Sequence, residues 1–176
     1  MERPKWYQPS KRKPSPYQLG IDFGQRPLDS GQDEIFRFTY EVKDDIQVLS
    51  PDIAGAYLLS NVFTPFDAFD QEEVWILLLN NKNKITHQSM VYRGTVNSAN
   101  IRVAELYKPA VRLNAPSIIM SHIHPSGDVT QSPEDVMVTQ AAYEAGKLLQ
   151  VNLLDHLIVG RAQWLSLKSR GIGFND

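Results

Sequence analysis

The chain has 176 residues, 42% of them hydrophobic and 22% charged, with a formal net charge of -2 and no cysteine. That length suits one domain of ordinary size plus a tail, and the composition is that of a globular rather than a disordered chain. The charge argues against wholesale coating of nucleic acid, the missing cysteines exclude a disulfide framework, and the lack of a membrane-length or signal-like apolar run makes a cytoplasmic location the expectation.

Residues 1–28 differ in kind from the rest of the chain. Pro4, Pro9, Pro14 and Pro16 oppose regular structure, and Arg3, Lys5, Lys11, Arg12 and Lys13 give a positive bias. Such a segment buries too little apolar surface to offset its ordering entropy, so a flexible basic tail is expected ahead of a domain over 29–176. Trp6, Tyr7 and Tyr17 interleave with the basic residues. That pattern can stack on nucleic acid or dock on a partner, although composition alone favours a solvated extension with no partner.

Ile35 to Val42 alternates apolar and polar residues and predicts a first strand with one buried face. Ser50-Pro51-Asp52 signals a helix start, and Ile53, Tyr57 and Leu58 carry that helix to about Val62. Thr64-Pro65-Phe66-Asp67 breaks it. Val74–Leu79 reads as a central strand, apolar on both faces, and Asn80-Asn81-Lys82-Asn83 turns it back into a partner over Ile85–Tyr92. A helix is expected over Ala104–Leu113, shifted or kinked by Pro109. A buried strand comes next over Ser117–His122, and the longest helix runs from Pro133 to Leu149, with Val136, Val138, Ala141, Ala142, Ala145 and Leu148 available for its buried stripe. Val151–Val159 and Gln163–Lys168 close the chain as strands. Helices interspersed with a mainly β core predict an α/β sandwich built round a mixed sheet, without internal repeats.

The most informative stretch is Ser121-His122-Ile123-His124-Pro125-Ser126-Gly127-Asp128, continuing through Ser132-Pro133-Glu134-Asp135. Residues i and i+2 of a strand point the same way, so His122 and His124 can face one ion. With Asp135 they make a two-His, one-carboxylate set that leaves a position for water on a catalytic metal. Ser132-Pro133-Glu134-Asp135 is also a helix start in its own right, with Ser at the N-cap, Pro at N1 and an acid at N3. The two roles are compatible, because a carboxylate fixed at N3 is held rigidly where a metal could use it. Gly127 and Ser126 shape the loop, and Pro125 stiffens the approach to His124.

The whole pattern, His-x-His-Pro-x-Gly, then seven residues from the second His to Ser-x-x-Asp, resembles the JAMM motif of the JAB/MPN metalloprotease fold, and more closely the RadC family. Gly94-Thr95-Val96-Asn97-Ser98, Ala104-Glu105-Leu106-Tyr107-Lys108-Pro109-Ala110 and Leu153-Leu154-Asp155-His156-Leu157-Ile158-Val159-Gly160 occur in the family's order, and the resemblance covers roughly residues 50–172. It implies a cytidine deaminase-like mixed sheet flanked by helices and one zinc per chain held by His122, His124 and Asp135. It also implies a metal-activated water that cleaves peptide or isopeptide bonds. Glu72, just ahead of the central strand, stands where that family has its general base. Glu73, one step on and facing oppositely, and Glu105, which opens a predicted helix, are second choices. The resemblance gives Ser132 a part in holding the oxyanion. The substrate would be a peptide or protein, a ubiquitin-like tail among them.

Two other readings stand beside this one. The RadC family carries a DNA-repair label, but this sequence shows no obvious N-terminal helix-hairpin-helix region and offers only the basic tail for nucleic acid. A non-catalytic MPN scaffold is the third, against which the retained His/Asp set argues. Asp155 and His156 are neighbours on a strand and should face opposite ways, so at most one is expected to support the metal ligands. His87, mid-hairpin, is expected to take no part in chemistry.

Overall fold

Six strands carry the fold among the residues that the computed structural model describes, 38–94 and 101–175. The anticipated basic tail, and Ile35, Phe36 and Arg37 of the anticipated first strand, lie outside that range. Strand β1 spans Thr39–Glu41, β2 Glu72–Leu79, β3 Ile85–Gly94, β4 Ser117–Ile123, β5 Asn152–Gly160 and β6 Gln163–Ser166. Their order across the sheet is β1-β3-β2-β4-β5-β6, with β4 and β5 parallel and every other pair antiparallel. The mixed sheet flanked by helices is the JAB/MPN architecture that the resemblance implied.

Local chemistry explains most element ends. Helix α1 (Pro51–Tyr57) begins with Pro at N1, as expected, and continues as a π-helical turn over Leu58–Val62. The β2–β3 hairpin closes on Asn80, whose side-chain oxygen accepts from the Lys82 and Lys84 amides at 2.9 and 3.1 Å, while Asn83 takes a left-handed φ of 55°. An Asx turn of this kind is what a run of asparagines provides. Helix α2 (Val103–Leu113) passes through buried Pro109 without ending there, and Asn114 closes it in the left-handed conformation. Helix α3 (Pro133–Leu149) has the expected ends.

The buried line of α3 differs from the expected apolar stripe. Asp135, Val138, Thr139, Ala142 and Gly146 face inward, whereas Leu148 is 87% exposed and Ala141 lies outside. Two polar residues hold the inner face because they have buried partners there, and the helix is rotated to present them.

Strand register assigns the faces, because directly opposed residues of an antiparallel pair share one. Val74 opposes His122, Ile76 opposes Met120 and Leu78 opposes Ile118. These even-numbered aliphatics pack with Leu106, Tyr107 and Ala110 of α2 and Val138 and Ala142 of α3. Leu77, Leu79, Ile119, Ile123, Leu157 and Val159 point the other way, beneath Ala54 and Leu58. Each buried aliphatic contributes roughly 1.5–3 kcal/mol, so a polar group at the same depth persists only when paired. Tyr107 illustrates this: its buried hydroxyl donates to the Ala142 carbonyl at 2.7 Å and fastens α2 to α3. Among the described residues no helix is long and apolar enough to cross a membrane.

Candidate metal centre

His122 lies near the end of β4 on the face covered by α2 and α3, and His124 comes just past the strand. Helix α3 starts beside them and places Asp135 in its first turn, where a full capping box fixes it. The Ser132 amide and hydroxyl each donate to Asp135 Oδ2 at 2.7 Å, and the Asp135 amide donates to Ser132 Oγ at 3.1 Å. Burial pushes the Asp135 carboxyl up, but the His122 ring and the two Ser132 donors outweigh it and hold the group well below the usual carboxylate range. The carboxylate is therefore ionised although it is only 1% exposed.

The donor atoms converge. His122 Nε2 is 2.9 Å from His124 Nε2 and 3.1 Å from Asp135 Oδ1, and His124 Nε2 is 3.8 Å from Asp135 Oδ2. His124 Nδ1 lies 2.7 Å from the Asp128 carbonyl oxygen. A carbonyl can only accept, so Nδ1 donates there and Nε2 is the nitrogen that faces the cluster. Two imidazole nitrogens and an ionised carboxylate at such separations draw a cation. Ligand atoms about 2.0–2.1 Å from a tetrahedral ion would sit roughly 3.3 Å apart, within the span seen here. His122, His124 and Asp135 thus form a group that can hold a metal ion.

The loop between the histidines and α3 is tied down by short contacts. Gly127 adopts a φ of +84°, and its carbonyl accepts from Gln163 Nε2 at 2.8 Å. The His124 amide donates to the Val159 carbonyl at 2.9 Å, and Asp128 Oδ1 accepts from the Thr130 amide and hydroxyl at 2.9 and 2.7 Å. Gly160 leaves room for this arrangement, since a Cβ there would lie 2.2 Å from the Gly127 carbonyl oxygen. A backbone oxygen cannot swing aside as a side-chain tip can. Gly160→Ala is therefore expected to displace the loop and lower stability by about 1–3 kcal/mol, the usual cost of overpacking. Urea denaturation measures this, and an unchanged midpoint would show that the loop is not fixed from this side.

The three candidate bases separate. Glu72 opens β2 two residues before Val74, hence on the His122 face, and is half-buried. Glu73 points the other way, buried, where it accepts from Trp75 Nε1 at 2.9 Å and lies 3.5 Å from Arg93 Nε. Glu105 stands in the first turn of α2, 41% exposed and 3.8 Å from Arg102 Nη1. The segment leading to Glu72 is flanked by two exposed ion pairs, Asp67 with Arg161 and Asp70 with Arg93. Ser132 is beside the His122, His124 and Asp135 cluster with its hydroxyl proton committed to Asp135.

Asp155 and His156 do face opposite ways. Asp155 accepts from Ser166 Oγ at 2.7 Å and from the Lys168 amide at 3.3 Å, away from the ligands. His156 is on the metal side, its Nε2 2.8 Å from His122 Nδ1, and burial drives its pKa well below the ordinary value. His87 is remote from the cluster, on β3 against Thr86 Oγ1 at 3.1 Å. Thr139 is a residue that the sequence did not bring forward: its hydroxyl lies 2.5 Å from both His156 Nδ1 and the Asp135 carbonyl oxygen. Its spacing of four residues from Asp135 on one helix face was the available signal.

Comparison with known proteins places this geometry. A family model described as a RadC-like JAB domain matches residues 49–172. A UPF0758 protein of Chloroflexus aggregans is 44% identical over 133 residues, 76% of this chain and 56% of the relative. One from Roseiflexus sp. strain RS-1 is 36% identical over 162 residues, 92% of this chain and 64% of the relative. One from Staphylococcus epidermidis is 41% identical over 128 residues, 73% of this chain and 55% of the relative. The chain therefore spans somewhat more than half the length of these relatives.

Proposed function

The chain belongs to the family of RadC-like JAB domains, and on that premise we propose that it is a zinc-dependent hydrolase of the JAMM type that cleaves peptide or isopeptide bonds. The observation that supports this most is the convergence of His122 Nε2, His124 Nε2 and the ionised Asp135 carboxylate within 4.8 Å of one another. The placement of His122 on the sheet face that also carries Glu72 adds to it. Three protein ligands leave a coordination position for water, and zinc, when bound, lowers the pKa of that water and polarises a carbonyl.

The remaining chemistry falls to the chain's own residues. Glu72 takes the water proton on its carboxylate and returns it to the leaving amine, a transfer that needs a half-buried acid on the ligand face. Glu73 is ill suited because Trp75 and Arg93 occupy it on the opposite face. Ser132 stabilises the oxyanion once its hydroxyl turns from Asp135 towards the scissile carbonyl. The substrate class that fits is an amide within an extended peptide or protein segment, such as a ubiquitin-like tail.

Chelation tests the reading directly. A panel of peptide and isopeptide substrates should be hydrolysed by the zinc-loaded protein, fall to background after chelation, and recover on adding about one zinc per chain. Turnover that persists in metal-free protein would refute the assignment.

A further inference from the structure

His122 does not choose its own tautomer. A chain of hydrogen bonds chooses it, and the chain can be read from its far end. The Asp135 carbonyl oxygen, 2.5 Å from Thr139 Oγ1, has no hydrogen and can only accept. Thr139 therefore spends its single proton on that carbonyl and can only accept from His156 Nδ1, 2.5 Å away on its other side. His156 must carry its hydrogen on Nδ1. The ring is 1% exposed and its Nδ1 faces only a hydroxyl, so burial favours its neutral form. Its Nε2 then holds a lone pair and accepts from His122 Nδ1 at 2.8 Å. With Nδ1 committed as the donor to His156, Nε2 is the His122 nitrogen that faces His124 and Asp135, where an ion would sit.

We propose that Thr139 and His156 are positioning residues for the metal site, forming a one-way relay from the Asp135 backbone carbonyl to His122 that holds the Nε2 of His122 free to bind the ion. The relay begins on one metal ligand and ends on another, so the start of α3 and the end of β4 are set relative to each other by the same bonds that set the tautomer. Its acceptor for the ligand histidine is a neutral imidazole. The common alternative is a carboxylate, which makes the ligand more basic. A neutral acceptor leaves a bound divalent ion less charge-compensated and so a stronger Lewis acid. Helix geometry explains why a threonine serves here: Thr139 is one turn beyond Asp135, and a hydroxyl at that spacing reaches the carbonyl four residues back.

This inference rests on the metal-binding reading above, and its first test does not need the metal. Imidazole 15N shifts of the metal-free full chain report which nitrogen of each ring carries hydrogen. The expected result is hydrogen on Nδ1 of both His122 and His156. A His122 whose Nδ1 carries no hydrogen, or a doubly protonated His156, overturns the relay whether or not zinc binds. The second test is zinc affinity, measured by competition with a chromophoric chelator. Thr139→Val keeps the shape of the side chain and removes the hydroxyl, so it should lose about 10–100-fold in affinity, the usual effect of an outer partner of a metal ligand. Thr139→Ser should recover the parent value. His156→Gln, whose amide oxygen can accept from His122 while its NH2 donates to Thr139, should bind more tightly than His156→Leu. Equal zinc affinity for parent, Thr139→Val and His156→Leu would sink the proposal. Should the parent itself bind no zinc, the metal reading fails, and the 15N result still decides whether the relay exists.

Discussion

Asp135→Ala is expected to empty the metal centre while leaving the fold intact. On the proposed reading the side chain would supply one of three protein ligands and the only negative charge among them, and even removal of an outer partner typically costs about 10–100-fold in metal affinity. The loss here should exceed about 100-fold. Stability is a separate matter. The substitution removes the N3 half of a capping box, because the Ser132 amide and hydroxyl lose the oxygen that accepts from both, which costs about 1 kcal/mol. It also relieves the desolvation that burial imposes on this carboxylate, so the net change should be small. Asp135→Asn separates the two effects: its amide oxygen can still accept from Ser132, so the cap survives while the charge is lost. The expected pattern is zinc lost in both variants, with the melting temperature lowered mainly in the alanine variant. A competition titration and a thermal melt measure these two quantities. Parent-like zinc binding by Asp135→Ala would mean that the carboxylate only caps the helix and that other donors hold any ion.

That contrast also marks how much could be read from the sequence. Ser132-Pro133-Glu134-Asp135 signalled a helix start, and the helix begins at Pro133 with the capping box formed by Ser132 and Asp135. The strand pattern was legible because Val74–Leu79 and Ile118–Met120 are continuous apolar runs that only a doubly covered sheet can bury. The alternation of β5 predicted that Asp155 and His156 would part, and they do. It could not tell which of them faces the ligands, since that depends on pairing with β4, where His156 lies beside Met120. The same limit applied to α3. Periodicity scores apolarity, so it nominated Leu148 and Ala141 and passed over Thr139, whose burial is stabilised by two partners distant in chain or along the helix. Pro109 was expected to disturb its helix, yet α2 continues through it, held against the sheet and α3 by Leu106, Tyr107 and Ala110. In each case the missing information was tertiary: which polar groups find one another once the sheet has its register.

Register also carries the second large expectation. Glu72→Gln should retain zinc at the parent affinity and lose hydrolysis by about 10²–10⁴-fold, the range that a positioned acid–base group contributes. Glutamine keeps the size and hydrogen-bonding reach of the side chain but cannot take a proton from water near neutral pH, so a loss confined to turnover identifies proton transfer rather than ligand binding. Geometry favours Glu72 over its neighbour. Val74 opposes His122 across β2 and β4, and a strand residue two places away shares that face, whereas one place away it does not. Glu73→Gln supplies the control. It weakens a buried contact with Trp75 and an ion pair with Arg93, so it should reduce stability by about 1–3 kcal/mol and leave kcat within a small factor of the parent at temperatures where the variant is folded. Glu105→Gln, on an exposed helix start, should change neither property. If turnover survives Glu72→Gln and fails in Glu73→Gln, the face assignment is inverted and β2 must present its other side to the metal. If it survives both, the proton acceptor is not on β2, and zinc-bound water would be reacting through a group that the register places elsewhere.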